Sequence, residues 1–458
     1  MHSRVKLKNI SSLIGSGITP LRSNSLFWNK GIIPWLKTEQ LGEGKIYETS
    51  EKITQYAIDK TSIKIFPVNT ISLAMYGEGR TRGKVSVLKI PMATNQACCN
   101  IVIDNSKANY EYVYYFLKTQ YAQLRNLSSG VRKNLNSNDV KEFEVILPDL
   151  FTQRKIASVL SSIDSKIELN NRINAELEAM AKTIYDYWFV QFDFPDKNGK
   201  PYKSSGGKMV WNEELKRQIP EGWGAQKMAE WINIDKSGDW GKEEAERNFT
   251  KKVICFRGAD INGLNGLDEL KPPVRYILEK NTFKILKSHD LIIEISGGSP
   301  TQSTGRLAFI TDATIKRFEH PLICSNFCRP VSMRNKKFLY NFVYYWNSLY
   351  DGGAFFGYEG KTSGIKNLLL DSFVNLYYTV VPAEKIVDQF YVLMENVQEK
   401  KQTALAENQQ LSNLRDWLLP MLMNGQVTVG KPYEQVAEML GMVAEGVTLY
   451  NNSIKGTN

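Results

Sequence analysis

GVRKNLNSNDVKEFEVILP, residues Gly130 to Pro148, and GIKNLLLDSFVNLYYTVVP, residues Gly364 to Pro382, are two versions of one stretch, each with its proline eighteen places after its glycine. N-terminal to each copy, Val113-Tyr114-Tyr115-Phe116 returns as Val343-Tyr344-Tyr345-Trp346, ISLAMYG (Ile71 to Gly77) aligns with IIEISGG (Ile292 to Gly298), and Lys6-Leu7 aligns with Lys227-Met228. The landmarks keep their order at offsets of about 220 to 234 residues, so the drift reads as loop insertions and deletions. Solenoid repeats have periods of roughly 20 to 50 residues, whereas a unit of this size can bury its own core. A duplicated domain follows, and two copies of one binding module point to a ligand with two half-sites.

With 458 residues and 42% hydrophobic content, the chain has room for two to four domains with buried cores. The start, MHSRVKLKNI, has no apolar core of a signal peptide, and no stretch approaches the roughly 18 apolar residues of a membrane span. A cytoplasmic location is the expectation. Five cysteines (Cys98, Cys99, Cys255, Cys324, Cys328) form an odd set without disulfide-framework spacing, which suits a reducing compartment. The net charge of +10 favours a polyanion, because neutralising phosphates releases counterions.

From Thr152 the apolar period becomes helical. Ile156, Leu160, Ile163, Ile167, Asn170, Asn174, Leu177, Ala181, Ile184 and Trp188 step by three and four, as in a coiled-coil seam. Ile386, Phe390, Leu393, Val397, Ala404, Leu411, Leu414 and Leu418 repeat the pattern, interrupted by Lys400 and Glu407. Antiparallel pairing of the two helices is expected, with Asn170 and Asn174 in the seam, where a buried amide trades stability for a single register. A helix of about 35 residues at 1.5 Å per residue is roughly 50 Å long. At about 3.4 Å per base pair, that length matches on the order of fifteen base pairs.

These pieces together resemble the specificity subunits of type I restriction-modification systems. The resemblance covers nearly the whole chain. It is carried by the helix start LPDLFTQRKIASVL (Leu147 to Leu160), its exit YDYWFVQFDFP (Tyr185 to Pro195), the opening of the second domain IPEGWGAQKMAEW (Ile219 to Trp231), and the second exit LRDWLLPMLMNGQV (Leu414 to Val427), the most specific of them. Physically, Pro148 stops a strand, Asp149 or Thr152 caps a helix, Pro420 disrupts late turns and Gly425 suits a left-handed cap. The chain departs from the pattern in two places: the first domain starts directly with VKLKNISSLIGSGITP (Val5 to Pro20), and the second helix starts from the shortened VPAEKIVDQF (Val381 to Phe390).

The expected fold is α/β: two pseudo-repeated α/β target-recognition domains separated by a pair of long antiparallel coiled-coil helices. The expected limits are 1–148 for the first domain, 149–192 for the first helix, 193–218 for a linker, 219–382 for the second domain, 383–426 for the second helix and 427–458 for a tail. The resemblance implies double-stranded DNA as ligand, two methyltransferase subunits as partners, and translocase-nuclease subunits in the full complex. It leaves this chain without a catalytic role, metal or cofactor.

Candidate catalytic motifs are decoys. Gly360-Lys361-Thr362 ends like a phosphate-binding loop, but Phe355 stands where the earlier glycine is required. GEGRTRG (Gly77 to Gly83) has Arg82 for its third dinucleotide-loop glycine and reads as a basic hairpin turn. Lys271-Pro272-Pro273-Val274 lacks the polar and aromatic flanks of a methyltransferase tetrapeptide. His320, Cys324 and Cys328, with Cys255 as a fourth ligand, have zinc-like types, but Pro321 breaks a helical face and the pattern suits an apolar strand. His2 and His289 have no evident partner in the sequence.

What remains is suited to holding DNA. The first domain offers Arg80, Thr81, Arg82 and Lys84 in a Gly-rich loop and Arg132, Lys133 and Asn134 after Ser128-Ser129-Gly130. The second offers Ser299, Thr301, Gln302, Ser303 and Arg306 in SGGSPTQSTGR, then Tyr358, Lys361, Thr362 and Lys366 around Gly360 and Gly364. Arg bonds guanine, Asn and Gln bond adenine, and Ser, Thr and Lys meet phosphates. The loops differ in residue type, so an asymmetric target is expected.

Overall fold

The computed structural model describes residues 3–42, 44–77, 81–127, 135–268, 270–297, 301–362 and 365–429. They fall into two compact units, one drawn from 1–166 and 411–458, the other from 167–410.

The first unit carries β1 (Ser3–Lys6), β2 (Ser11–Ser16), β3 (Ile33–Leu36), β4 (Lys45–Ile46), β5 (Glu51–Ile53), β6 (Ile71–Ala74), β7 (Val85–Leu88), β8 (Ala93–Thr94), β9 (Cys98–Ile103), helix α1 (Tyr110–Thr119) and β10 (Glu144–Leu147). Helix α2 (Leu150–Tyr185) starts in this unit. The main sheet has the order β2-β9-β6-β7-β4, a smaller one the order β5-β3-β8, and β1 pairs with β10. All four residues of β6 are buried, because both of its faces are covered. Ile71 and Leu73 share a core with Tyr112, Val113 and Phe116 of α1, while Ala74 packs with Leu36, Phe66 and Met92.

The second unit carries β11 (Gly224–Lys227), β12 (Ile232–Asn233), β13 (Phe249–Phe256), β14 (Val274–Leu278), β15 (Asp290–Glu294), β16 (Leu307–Phe309), β17 (Leu322–Cys324), β18 (Cys328–Met333), helix α3 (Leu339–Asp351), β19 (Glu359–Thr362), β20 (Ile365–Leu368) and β21 (Tyr378–Val381). Helix α4 (Glu384–Met423) starts here. The sheets run β12-β18-β15-β16, β14-β13-β17 and β11-β21, and a further ladder joins Ser296–Gly297 to β20 and β19.

The duplication holds bond by bond. β1 pairs with β10 from Ser3↔Leu147 to Lys6↔Glu144, and β11 with β21 from Gly224↔Val381 to Lys227↔Tyr378. The Leu7 amide donates to Phe143 O and the Met228 amide to Tyr377 O, both at 2.9 Å. One sequence alignment shifts: Ile71 pairs with Ile101 and Val87, and it is Leu291 that pairs with Val331 and Phe309. Ile71 therefore corresponds to Leu291 rather than Ile292, and Gly77 to Gly297, both in the positive-φ region (129° and 137°). A run of apolar residues carries no mark of register, so only the ladder fixes it.

Both long helices form, and Asp149 caps the first by accepting from the Thr152 amide at 3.0 Å. Pro420 stands inside α4, which continues to Met423, and Gly425 then takes φ +76°. In the first unit, Ile156, Ala157 and Leu160 share a core with Leu419, Leu422 and Met423, and Arg415 Nη1 bonds Asp164 at 3.0 Å. In the second, Asn170 Nδ2 donates to Asn408 Oδ1 at 2.9 Å, Asn408 Nδ2 to Asn171 Oδ1 at 2.7 Å, and Lys401 pairs with Glu178. Partners run in opposite sequence directions in each unit, so the pairing is antiparallel.

The seam of α4 differs from its sequence reading. Phe390, Met394, Val397, Lys401, Leu405 and Asn408 are buried, whereas Leu414 is 43% exposed. Lys401 and Asn408 enter the seam because α2 supplies hydrogen-bonding partners, which removes the penalty that an unpaired buried polar group would carry. Asn170 and Asn174 are both buried as expected, and among the described residues no group bonds the Asn174 amide.

Candidate nucleic-acid interface

In the second unit, the segment between β15 and β16 is closed by two backbone bonds, Glu294 N to Arg306 O and Gly305 N to Glu294 O, both at 2.9 Å. The first unit closes β6 to β7 in the same way, with Ala74 N to Lys84 O at 3.0 Å and Gly83 N to Ala74 O at 2.9 Å. Gly83 and Gly305 take φ +89° and +103°, conformations that disfavour a Cβ. The two Gly-rich loops are thus equivalent hairpin connections at the same end of equivalent strands.

The structure brings together clusters that lie far apart in sequence. Ser296 and Gly297 pair with Asn367 and Lys366, so the Gly-rich loop lies against the β19–β20 hairpin. Leu368 N donates to Ile295 O at 2.8 Å, and Leu135 N to Met75 O at 3.2 Å, so this one backbone bond recurs in the first unit.

Several expected DNA contacts also serve the fold. Arg306 makes a two-pronged pair with Glu294, Nε to Oε2 at 2.8 Å and Nη2 to Oε1 at 2.7 Å, which holds its guanidinium charged more firmly. Lys366 Nζ sits 3.0 Å from Glu359, whose carboxylate also accepts from the Thr304 amide at 2.7 Å and from Ser303 Oγ at 3.1 Å. Partial burial pushes the Glu359 carboxyl up, but these donors outweigh it and leave the pKa below the usual value. The Tyr358 ring packs edge-on against Phe373. Thr301 and Gln302 are exposed at the loop, and Thr81, Arg82 and Lys84 are half-buried at its counterpart. Arg80, Arg132, Lys133, Asn134 and Ser299 lie outside the described residues, while Lys361 and Thr362 are described in backbone only, on β19.

Sequence reasoning missed Glu294 and Glu359, the carboxylates that fix Arg306 and Lys366. The available signal was an acidic residue ending the apolar run Leu291-Ile292-Ile293, a place where an unpaired charge would be costly. Among the decoys, Gly77 to Gly83 spans a hairpin connection, and Gly360-Lys361-Thr362 lies on a strand rather than at a helix start. Cys255, Cys324 and Cys328 are buried in strands, and desolvation pushes the Cys255 and Cys328 thiols up to about 12.

The fold defines a class: a duplicated α/β module whose paired loop hairpins differ in side chains, each copy joined to segments of two antiparallel helices. Residues 3–179 match the family model of the type I restriction modification DNA specificity domain. Over 435 residues, 93% of each chain, the sequence is 26% identical to the type I restriction enzyme MjaIX specificity subunit of Methanocaldococcus jannaschii. The HindI specificity subunit of Haemophilus influenzae is 24% identical over 65% of this chain and 72% of its own. The crystal structure of the type I restriction-modification S subunit from M. genitalium has the same fold, with a TM-score of 0.55 at 16% identity, covering 92% of this chain and 96% of that one. Residues 3–179 thus match a specificity-domain model, and over most of its length the chain is similar in sequence to type I specificity subunits.

Proposed function

We propose that this chain is the non-catalytic, DNA-reading subunit of a type I restriction-modification complex. It recognises a bipartite, asymmetric duplex target and directs methyltransferase and restriction subunits to it. The observation that carries this reading is the pair of loop hairpins, matched in backbone bonding and different in side chains. Matched backbones present side chains to DNA in the same geometry, and different side chains read different bases. The net charge of +10 supplies the sequence-independent attraction. Arg80, Thr81, Arg82, Lys84, Arg132, Lys133 and Asn134 belong to one reading surface. Ser299, Thr301, Gln302, Ser303, Arg306, Tyr358, Lys361, Thr362 and Lys366 belong to the other, with Arg306 and Lys366 acting from within their ion pairs.

Two methyltransferase subunits dock on outward stripes of the helices. Leu169, Ile173 and Met180 of α2 and Leu414 and Trp417 of α4 are large apolar residues left exposed there. S-adenosylmethionine, ATP and Mg²⁺ chemistry belongs to the partners, and the complex works in the cytoplasm. Among the described residues no helix is long and apolar enough to cross a membrane.

Methylome sequencing of cells with and without the chain tests this. The expected result is a two-part motif with unequal halves that vanishes with the chain; an unchanged methylome would refute the reading. The length of α2 and α4 sets the unread spacer, so adding two turns to both in register lengthens the spacer and leaves both halves unchanged.

A further inference from the structure

The second unit contains an open cavity of about 440 Å³ beside its Gly-rich loop, lined by Trp240, Arg257, Glu294, Ser325, Asn326 and Phe327 together with small residues. At its mouth Phe327 is 53% exposed and Trp240 37% exposed, while Arg275 covers one face of the indole at 4.0 Å. Glu294 is 2% exposed, and its carboxylate lies against Gly258 and Gly297. A Cβ at those glycines would stand 2.7 and 3.0 Å from Glu294 Oε1, so a side chain at either position would crowd this acceptor where it lines the cavity. Each carboxylate oxygen accepts one bond from Arg306 and retains a further lone pair. Ser325 Oγ is buried at the wall, with no oxygen or nitrogen partner among the described residues.

The duplication supplies the equivalent positions in the first unit. Ile295 N bonds Phe327 O where Met75 N bonds Ala97 O, and Asp239 N bonds Cys324 O where Ile18 N bonds Thr94 O. By those registers Phe327 corresponds to Ala97, Glu294 to Ala74, Trp240 to Thr19 and Asn326 to Gln96. In the first unit Thr19 hydrogen-bonds Gln96 at the surface. Where the first unit has Thr19 and Ala97 the second has two rings, with the Glu294 carboxylate where the first has Ala74.

Resting on the DNA-reading function, we infer that this cavity receives a single nucleobase that has left the DNA stack, one bearing an exocyclic amino group: adenine, cytosine or guanine. The volume admits a base with its sugar. Phe327 and Trp240 supply apolar faces for stacking, which is worth roughly 1–3 kcal/mol per base at such platforms. Glu294 accepts from an amino N–H and meets the O4 carbonyl of thymine with like polarity. Only the half-site read by the second unit is sensed in this way.

The test uses the full-length chain and equal-length duplexes that are fully paired or carry one bulged dA, dC, dT or abasic residue, with affinity measured by fluorescence anisotropy. Bulged dA and dC are expected to bind about tenfold tighter than the abasic bulge, and dT no tighter than abasic. Phe327→Ala removes the preference and keeps affinity for the paired duplex within twofold, while Phe327→Tyr retains both. Equal binding of dA, dT and abasic bulges overturns the cavity assignment. If a duplex carrying the methylome motif is still bound selectively in that case, the DNA-reading function stands; if no duplex is bound, both fall.

Discussion

The main sheets of the two units share a ladder and differ in what lies on its second face. In the first unit a row of polar residues, Ser72, Ser86 and Asn100, is buried side by side, and Asn100 Nδ2 is satisfied by Thr94 Oγ1 at 2.7 Å. The same three ladder positions in the second unit are Ile292, Ala308 and Pro330. The ladder is kept because its backbone bonds are indifferent to side chains. The contents diverged because each face needs only to fit its own unit: the first buries two small hydroxyls beside an amide held by Thr94, the second buries apolar side chains. The loops above the two sheets follow the same rule, which is how one backbone design would serve the two proposed reading surfaces.

Exchanging the loops is the strongest challenge to that equivalence. Replacing residues 295–305 by residues 75–83 should redirect only the half-site read by the second unit, with a loss on the old sequence of about a hundredfold or more, since each mismatched pair costs about 1–3 kcal/mol. Methylome sequencing gives the outcome, and a change in both halves would break the assignment of one half to each unit.

Next come the glycines where two strands nearly touch. A Cβ at Gly17 would lie 2.0 Å from Thr94 O, and one at Gly238 the same distance from Ser325 O. Gly17→Ala and Gly238→Ala should each cost about 3 kcal/mol through forced backbone shifts. Hydrogen exchange should show the loss confined to the unit that carries the substitution. If one substitution is tolerated, the two closures are not equivalent.

The sheet faces provide a sharper test. Ile292→Ser should cost about 3 kcal/mol, combining a cavity with a buried hydroxyl that has no partner. Ser72→Ala should change stability by less than about 1 kcal/mol, because the hydroxyl makes no strong bond. Denaturant unfolding followed by exchange in each unit separates the two.

The smallest effect is acid sensitivity near the second loop. Glu359 has a folded pKa below that of an unfolded glutamate. Its contribution is therefore complete above about pH 4.3, the ordinary Glu value, and fades as pH falls through the lower folded value. Melting curves from pH 6 to 3 should show a steeper acid loss in the wild type than in Glu359→Gln; identical slopes would mean that the Lys366–Glu359 pair adds nothing.

How much was legible beforehand differs between elements. The Gly-to-Pro repeat and the Val-Tyr-Tyr motif located β10, β21, α1 and α3 in equivalent places, because a strand stop and an amphipathic helix write themselves into local pattern. The caps at Asp149 and Gly425 were readable for the same reason. The central strands were aligned one residue out, since an apolar run looks alike in either register. The α4 seam was misplaced beyond Val397, because Lys401 and Asn408 read as surface residues until Glu178 and Asn171 stand beside them. Arg306 was legible as a cation, but its Glu294 partner was not.

The amino-acid order alone carried the duplication, the two long helices and the polyanion-seeking charge, which are properties of local periodicity and composition, and the family resemblance, which rests on its motifs in order. Tertiary structure decided the register of the central strands, the pairing that brings Ser296 and Gly297 against Lys366 and Asn367, the polar seam and the cavity at Glu294. Each of these depends on groups distant in sequence satisfying or crowding one another in space, and such complementarity leaves no periodic trace along the chain.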